Sequence, residues 1–112
     1  MIFHIAREED WQSGLMAEQY LPAAFGHDGY IHCSTSDQII RVANKFFKGQ
    51  SGLVLLTIDP QRLEAEIIYE NLEGGEELFP HLYGPLNLDA ILEVSPFLPE
   101  DDGTFSLPGI TG

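Results

Sequence analysis

A chain of 112 residues with 44% hydrophobic content has the size of one domain that can bury a core of its own. Eighteen carboxylates against five Lys and Arg give a formal net charge of -13, which weighs against a nucleic-acid partner, because that affinity rests on several phosphate contacts from basic side chains. Aromatic content of 11% argues against disorder, and no apolar run approaches the ~18 residues that would cross a bilayer.

The chain opens on Ile2-Phe3-His4-Ile5, a short strand without the basic and extended apolar regions of a secretory signal, so a soluble cytoplasmic protein is expected. Arg7 to Trp11 reads as a helix start, acidic in its opening turns, with Gly14 as its end. This places His4 at the C-terminal end of a strand. Leu15 to Asp28 is mixed, with Glu18-Gln19-Tyr20 strand-like before Pro22 and a turn at Gly26-His27-Asp28-Gly29.

The stretch Gly29-Tyr30-Ile31-His32-Cys33-Ser34-Thr35-Ser36 reads as a strand running into an amphipathic helix, and it carries most of the chemistry. Alternation puts Tyr30, His32 and Ser34 on one face and Ile31 with Cys33 on the other. Thr35 and Gln38 have the spacing of a capping box, and the open amides of such a helix start can hold an anion. Cys33 cannot form an internal disulfide, since it is the one cysteine, and as a nucleophile it lacks a well-aimed base, so a buried structural thiol is expected.

Asp37 to Lys48 places Ile39, Val42, Ala43 and Phe46 at helical spacing with Gly49 as C-cap, which predicts a core helix. Leu53-Val54-Leu55-Leu56-Thr57-Ile58 is an apolar run of strand length, expected to be a central strand covered on both faces. Asp59-Pro60 stops it and Gln61-Arg62-Leu63 can form one helical turn. Ile67-Ile68-Tyr69-Glu70 and Ala90-Ile91-Leu92-Glu93-Val94 read as the last strands.

Between them, Asn71 to Pro85 is rich in Gly and Pro yet carries Phe79, His81 and Tyr83. A long irregular segment in a small domain is more often functional than idle. Residues 1-98 are expected to form the single domain and 99-112 a flexible acidic, Pro- and Gly-containing tail. The histidines have no His-x-x-x-His spacing, and no metal site is expected.

Four segments, Ile2-Phe3-His4-Ile5, Gly29 to Thr35, Val54 to Leu63 and Glu77 to Leu86, resemble in order the domain-of-unknown-function family 952, over roughly residues 1-98. A more distant resemblance is mechanistic. A first-strand His, a second strand reading hydrophobic-His-x-Ser-Thr, and an apolar strand ending in Ile-Asp are similar to the ADP-ribosyltransferase superfamily and its tRNA 2′-phosphotransferase branch. That likeness implies an α+β domain with a split, mainly antiparallel β-sheet, one principal core helix and a short N-terminal helix.

It also implies a site for NAD. By position, His4 would contact the adenosine ribose, the backbone of Ile5 the nicotinamide amide, and His32 the nicotinamide side, with Ser34 and Thr35 nearby. Leu78 or Phe79 would be the hydrophobic third element. Tyr30, Phe79 and Tyr83 complete the expected binding surface, and His32 and His81 are the expected catalytic pair, His81 assisting proton transfer. The chain departs from the superfamily at Ile5-Ala6, where Gly-Thr is common, and lacks an arginine cluster to read an RNA 2′-phosphate. The expected function is therefore NAD or ADP-ribose-type nucleotide binding, with ADP-ribosyl transfer or NAD-glycohydrolase chemistry. A small-molecule nucleotide is the expected partner, and no protein partner is specified. The alternative is a non-catalytic nucleotide-binding or protein-interaction domain.

Overall fold

The computed structural model describes residues 1-107. Among the described residues, nine strands and three α-helices form an α+β domain whose strand pairs are all antiparallel. The longest strands, β1 (Ile2–Arg7), β5 (Leu53–Ile58) and β9 (Ile91–Phe97), make a four-stranded sheet with β4 (Ser34–Thr35), in the order β4-β1-β5-β9. A three-stranded sheet has the order β3-β7-β6, from Ile31–His32, Phe79–Leu82 and Ile67–Glu70. The short β2 (Gln19–Tyr20) and β8 (Leu86–Asn87) pair with each other.

Period-2 alternation sends the apolar side chains of the larger sheet into two cores. Ile2, Ala6, Val54, Leu56 and Ile58 face Ile31, Cys33, Tyr20, Leu82 and Leu86. Ile5, Leu53 and Leu55 face the helix α3 (Ile39–Phe46) together with Phe97 and Phe105. Being buried on both faces explains why β5 is apolar at nearly every position.

The extended segment Ile31 to Thr35 belongs to both sheets. Its first half pairs with β7, as Ile31↔Leu82 and His32↔His81, and its second half with β1, as Ile2↔Thr35 and Phe3↔Ser34. Between them the Cys33 amide donates to the Pro80 carbonyl (2.9 Å). Because β4 covers only Ile2 and Phe3, this edge of β1 has no ladder partner among the described residues from His4 onward. A notch opens there between the two sheets.

Several expectations change. His4 lies inside β1, which runs on to Arg7, rather than at a strand end. The helix α1 (Glu8–Ala17) passes through Gly14, making it longer than α3. Gly14 is a packing residue: a Cβ there would sit 3.2 Å from the Tyr20 Cα. α1 buries only Trp11 and Gly14, so α3 is still the helix that carries the core.

The expected turn at Gly26 is one helical turn, α2 (Phe25–Asp28), closed by Gly29 at φ 80°. The Gly/Pro segment is not irregular throughout, since Phe79–Leu82 is the middle strand of its sheet. Pro80 lacks an N–H but its carbonyl still serves the ladder. Part of the expected tail is packed: Phe105 is buried, stacks on Phe97 at 4.6 Å, and its amide donates to Asn44 Oδ1 (2.8 Å). Residues 108-112 lie outside the described residues.

Candidate functional site

The notch is stitched by a side chain. His4 Nδ1–H donates to the His32 carbonyl at 2.7 Å, joining β1 to β3 where no backbone ladder does. A carbonyl only accepts, so the proton is on Nδ1, and in the neutral ring Nε2 accepts from the Tyr20 hydroxyl at 2.8 Å. Both nitrogens are engaged, and burial pushes the His4 pKa down to about 4. The Tyr20 hydroxyl, buried and near Asp10, is pushed up. His4 is therefore a neutral, fixed imidazole at neutral pH.

His32 is its opposite. It is half-buried at the floor of the notch, and neither of its ring nitrogens bonds to another described residue. Its ring lies 5.4 Å from Phe79 and 5.4 Å from His81. Burial and the neighbouring His81 lower its pKa, against an upward pull from Glu73 and Asp28.

Two hollows meet at this ring. One, of about 200 Å³, runs from His4 and Tyr20 past Arg7 and Asp10. The other, of about 320 Å³, opens toward Phe46 of α3 and Glu73. They share Asp28, Tyr30, His32 and Phe47, and their sizes suit a small ligand.

His81 forms a separate layer behind this cleft. Its Nδ1–H donates to Glu70 Oε2 (2.9 Å), its ring stacks on Tyr30 at 4.1 Å and 16°, and it lines neither hollow. The Tyr83 hydroxyl donates to the same Glu70 carboxylate, which pushes the Tyr83 pKa up to about 12 and holds Glu70 below the usual carboxylate range.

Residues 5–94 match the family described as "Protein of unknown function (DUF952)". The chain belongs to the DUF952 family. Among solved structures, this DUF952 chain is similar to the crystal structure of protein CC0527 from Caulobacter crescentus, with 31% identity, 95% of this chain and 93% of that chain covered, and a TM-score of 0.84. The solution NMR structure of CC0527 gives 30% identity, 92% and 89% coverage, and a TM-score of 0.75. No curated protein matches the chain.

The DUF952 fold brings His4, Ile5, Tyr30 and His32 together around the cleft. Ser34 is buried and lines only a small void of about 70 Å³ beneath His4 and His32. Ser34 and Thr35 are not at a helix start, because they form β4 and α3 begins four residues later. Half of the expected capping box is present: the Thr35 amide donates to Gln38 Oε1 at 3.0 Å. Thr35 lines neither hollow.

His81, expected as a catalytic group, lies behind the cleft with its ring stacked on Tyr30, and Tyr83 stands behind Tyr30 at 5.7 Å. Phe79 touches the cleft only through His32 and otherwise borders a neighbouring crevice under Arg41 and Lys45. Leu78 is exposed. Sequence reasoning singled out none of Tyr20, Phe47, Asp10, Asp28 and Glu73. The one signal for Tyr20 was its strand-like setting beside Pro22; the carboxylates sit among eighteen and nothing in their spacing marks them.

Among the described residues no helix is long and apolar enough to cross a membrane, and no group of three or more His, Cys, Asp or Glu is placed to hold a metal. Cys33 is buried, with its pKa pushed up to about 12, which suits a core thiol and not a nucleophile.

Proposed function

We propose that this chain binds NAD or an ADP-ribose-type nucleotide in the cleft at His32, and that it promotes ADP-ribosyl transfer or hydrolysis of the nicotinamide N-glycosidic bond. The observation that carries the reading is the pairing of one fully engaged histidine with one open one at a break between two sheets. The order of residues behind the resemblance to the ADP-ribosyltransferase superfamily, a His-bearing first strand and then His-x-Ser-Thr, falls at this break between the sheets.

In this reading His4 fixes the His32 backbone, and Tyr30, held by His81, offers an aromatic wall for a planar ring. The bond between ribose C1′ and the nicotinamide nitrogen breaks with its electron pair leaving on nicotinamide. Positive charge develops on the ribose, and electrostatic complementarity lowers the barrier. Water or another hydroxyl bonds to C1′, and the neutral His32 imidazole accepts its proton.

Nicotinamide release on incubation with NAD tests the reading, beside an NMR titration of the His32 ring. Release that falls at least about tenfold in His32→Ala, with the fold intact by circular dichroism, is the expected result. Binding without release would make the domain a nucleotide-binding module, and neither binding nor release would overturn the proposal.

A further inference from the structure

The charge around the cleft is lopsided. Asp10, Asp28 and Glu73 line the two hollows, and among the described residues Arg7 is the one Lys or Arg on their walls. None of the three carboxylates lies within 4.0 Å of a Lys or Arg nitrogen among the described residues, although Asp28 Oδ1 is 3.0 Å from His27 Nδ1 at the exposed rim. Two further cations, Arg41 and Lys45, line the neighbouring crevice together with Glu73, Glu76 and Glu77; Arg41 is bound by Glu77 at 2.8 and 2.6 Å, and Lys45 Nζ lies over the outer ring, Phe46, at 5.2 Å from its centre. Aromatic rings complete the walls, from Tyr30, Phe46 and Phe47.

A dinucleotide has two ends of opposite character. Its pyrophosphate is a dianion, which calls for cations or open amides. Its oxidised nicotinamide ring is a planar cation, which aromatic faces and unpaired carboxylates attract.

We propose that the cleft reads the positive end: its ligand is a cationic N-ribosyl pyridinium, held by Asp28 and Glu73 between aromatic walls, with any phosphates left outside. This rests on the nucleotide reading above and narrows it to one half of the molecule. The hollow at Tyr30 and Phe46, about 320 Å³, suits a fragment of that size. The negative field is also felt by the groups in the cleft: Asp28 and Glu73 each favour the charged form of His32 and the protonated form of Tyr30, and Asp10 favours the protonated forms of His4 and Tyr20.

The field has a chemical consequence. Carboxylates that attract the pyridinium would by themselves hold the ground state; as the bond breaks, the positive charge moves from the ring to the ribose and stays within their reach. The same groups repel free phosphate, so a product whose charge is entirely on phosphates is released readily.

Titration of the whole chain with nicotinamide riboside, NAD and ADP-ribose, followed by NMR at low ionic strength, tests this. Nicotinamide riboside should bind within about threefold of NAD, and ADP-ribose at least about tenfold more weakly. Asp28→Asn with Glu73→Gln, both exposed positions, should weaken nicotinamide riboside about fivefold or more and leave ADP-ribose unchanged or tighter. If ADP-ribose matches NAD and nicotinamide riboside does not bind, the charge proposal is wrong while the nucleotide reading stands. If none of the three binds, the nucleotide reading itself falls, and this inference with it.

Discussion

The two larger sheets hold their histidines by opposite means. In the four-stranded sheet, His4 is buried with a backbone carbonyl and a tyrosine hydroxyl on its two nitrogens, and is held neutral. In the three-stranded sheet, His81 is equally buried but faces a carboxylate, Glu70, that is itself open to water and shared with Tyr83. His32 lies where the sheets part and has no such partner among the described residues. Both sheets share an apolar core through Ile31 and Leu82, but the three-stranded sheet adds a polar network on its half-covered face, and the cleft takes its neutral imidazole from the first and its aromatic wall from beside the second.

The comparison breaks most visibly at the central strand. Leu56 is fully buried between β1 and β9, so Leu56→Ala should cost about 3-5 kcal/mol, by loss of burial and by the cavity left behind. Ile68 on β6, 37% exposed, should cost less than about 1 kcal/mol when cut to Ala. Urea denaturation distinguishes them. Equal losses would mean that the three-stranded sheet is as tightly packed as the other.

A second effect belongs chiefly to His4, with His32, whose pKa burial also lowers, acting in the same direction. Its folded pKa, about 4, lies below the 6.5 of a free imidazole, so as pH falls the unfolded chain takes up the proton first. The stability His4 protects is complete above pH 6.5 and is lost between 6.5 and 4, about 3 kcal/mol at most. Glu70 and Glu77 have lowered pKa values and lose their contribution only below the normal carboxylate value of 4.5. Stability measured from pH 8 to 5 should therefore fall in wild type and less so in His4→Gln. A flat profile in wild type would remove the case for a neutral, buried His4.

Gly14→Ala acts on the same histidine from a distance. The new Cβ would meet Tyr20 at 3.2 to 3.3 Å, contacting its backbone and ring together. About 1-3 kcal/mol of overpacking is expected, with Tyr20 shifted from His4 Nε2 and the His4 ring signals displaced. Unchanged ring signals would show that α1 yields instead.

How much of this was legible follows the same division. The double-sided burial of β5 and the apolar stripe of α3 are periodic patterns, and sequence periodicity reports them directly. The α+β class with antiparallel strands followed from the resemblance. Gly14 and Pro80 misled because each was read by backbone habit, whereas contact with Tyr20 and pairing with Cys33 decide their places. His4, His32 and His81 could be singled out, but their roles could not be separated, since those depend on Tyr20, the His32 carbonyl and Glu70, partners 11 to 28 residues away. The cleft carboxylates were hidden in a uniformly acidic chain.

The smallest expected effect contrasts two residues one helical turn apart that hold the same loop. Gln38, buried at the start of α3, takes the Thr35 amide on its oxygen and donates from Nε2 to the Leu78 carbonyl (2.8 Å) and to Glu77 (3.2 Å). Arg41 makes the shorter contacts to Glu77, yet it does so in water. Salt and side-chain entropy erode an exposed pair, whereas a buried amide removed from three partners leaves them poorly solvated. Gln38→Ala should cost about 1-2 kcal/mol and speed hydrogen exchange in Phe79–Leu82, while Arg41→Ala should leave both within experimental error. If Arg41→Ala loosens β7 as much as Gln38→Ala, the surface ion pair and not the buried amide fixes the Phe79 strand beside His32, and the aromatic side of the cleft is held from outside.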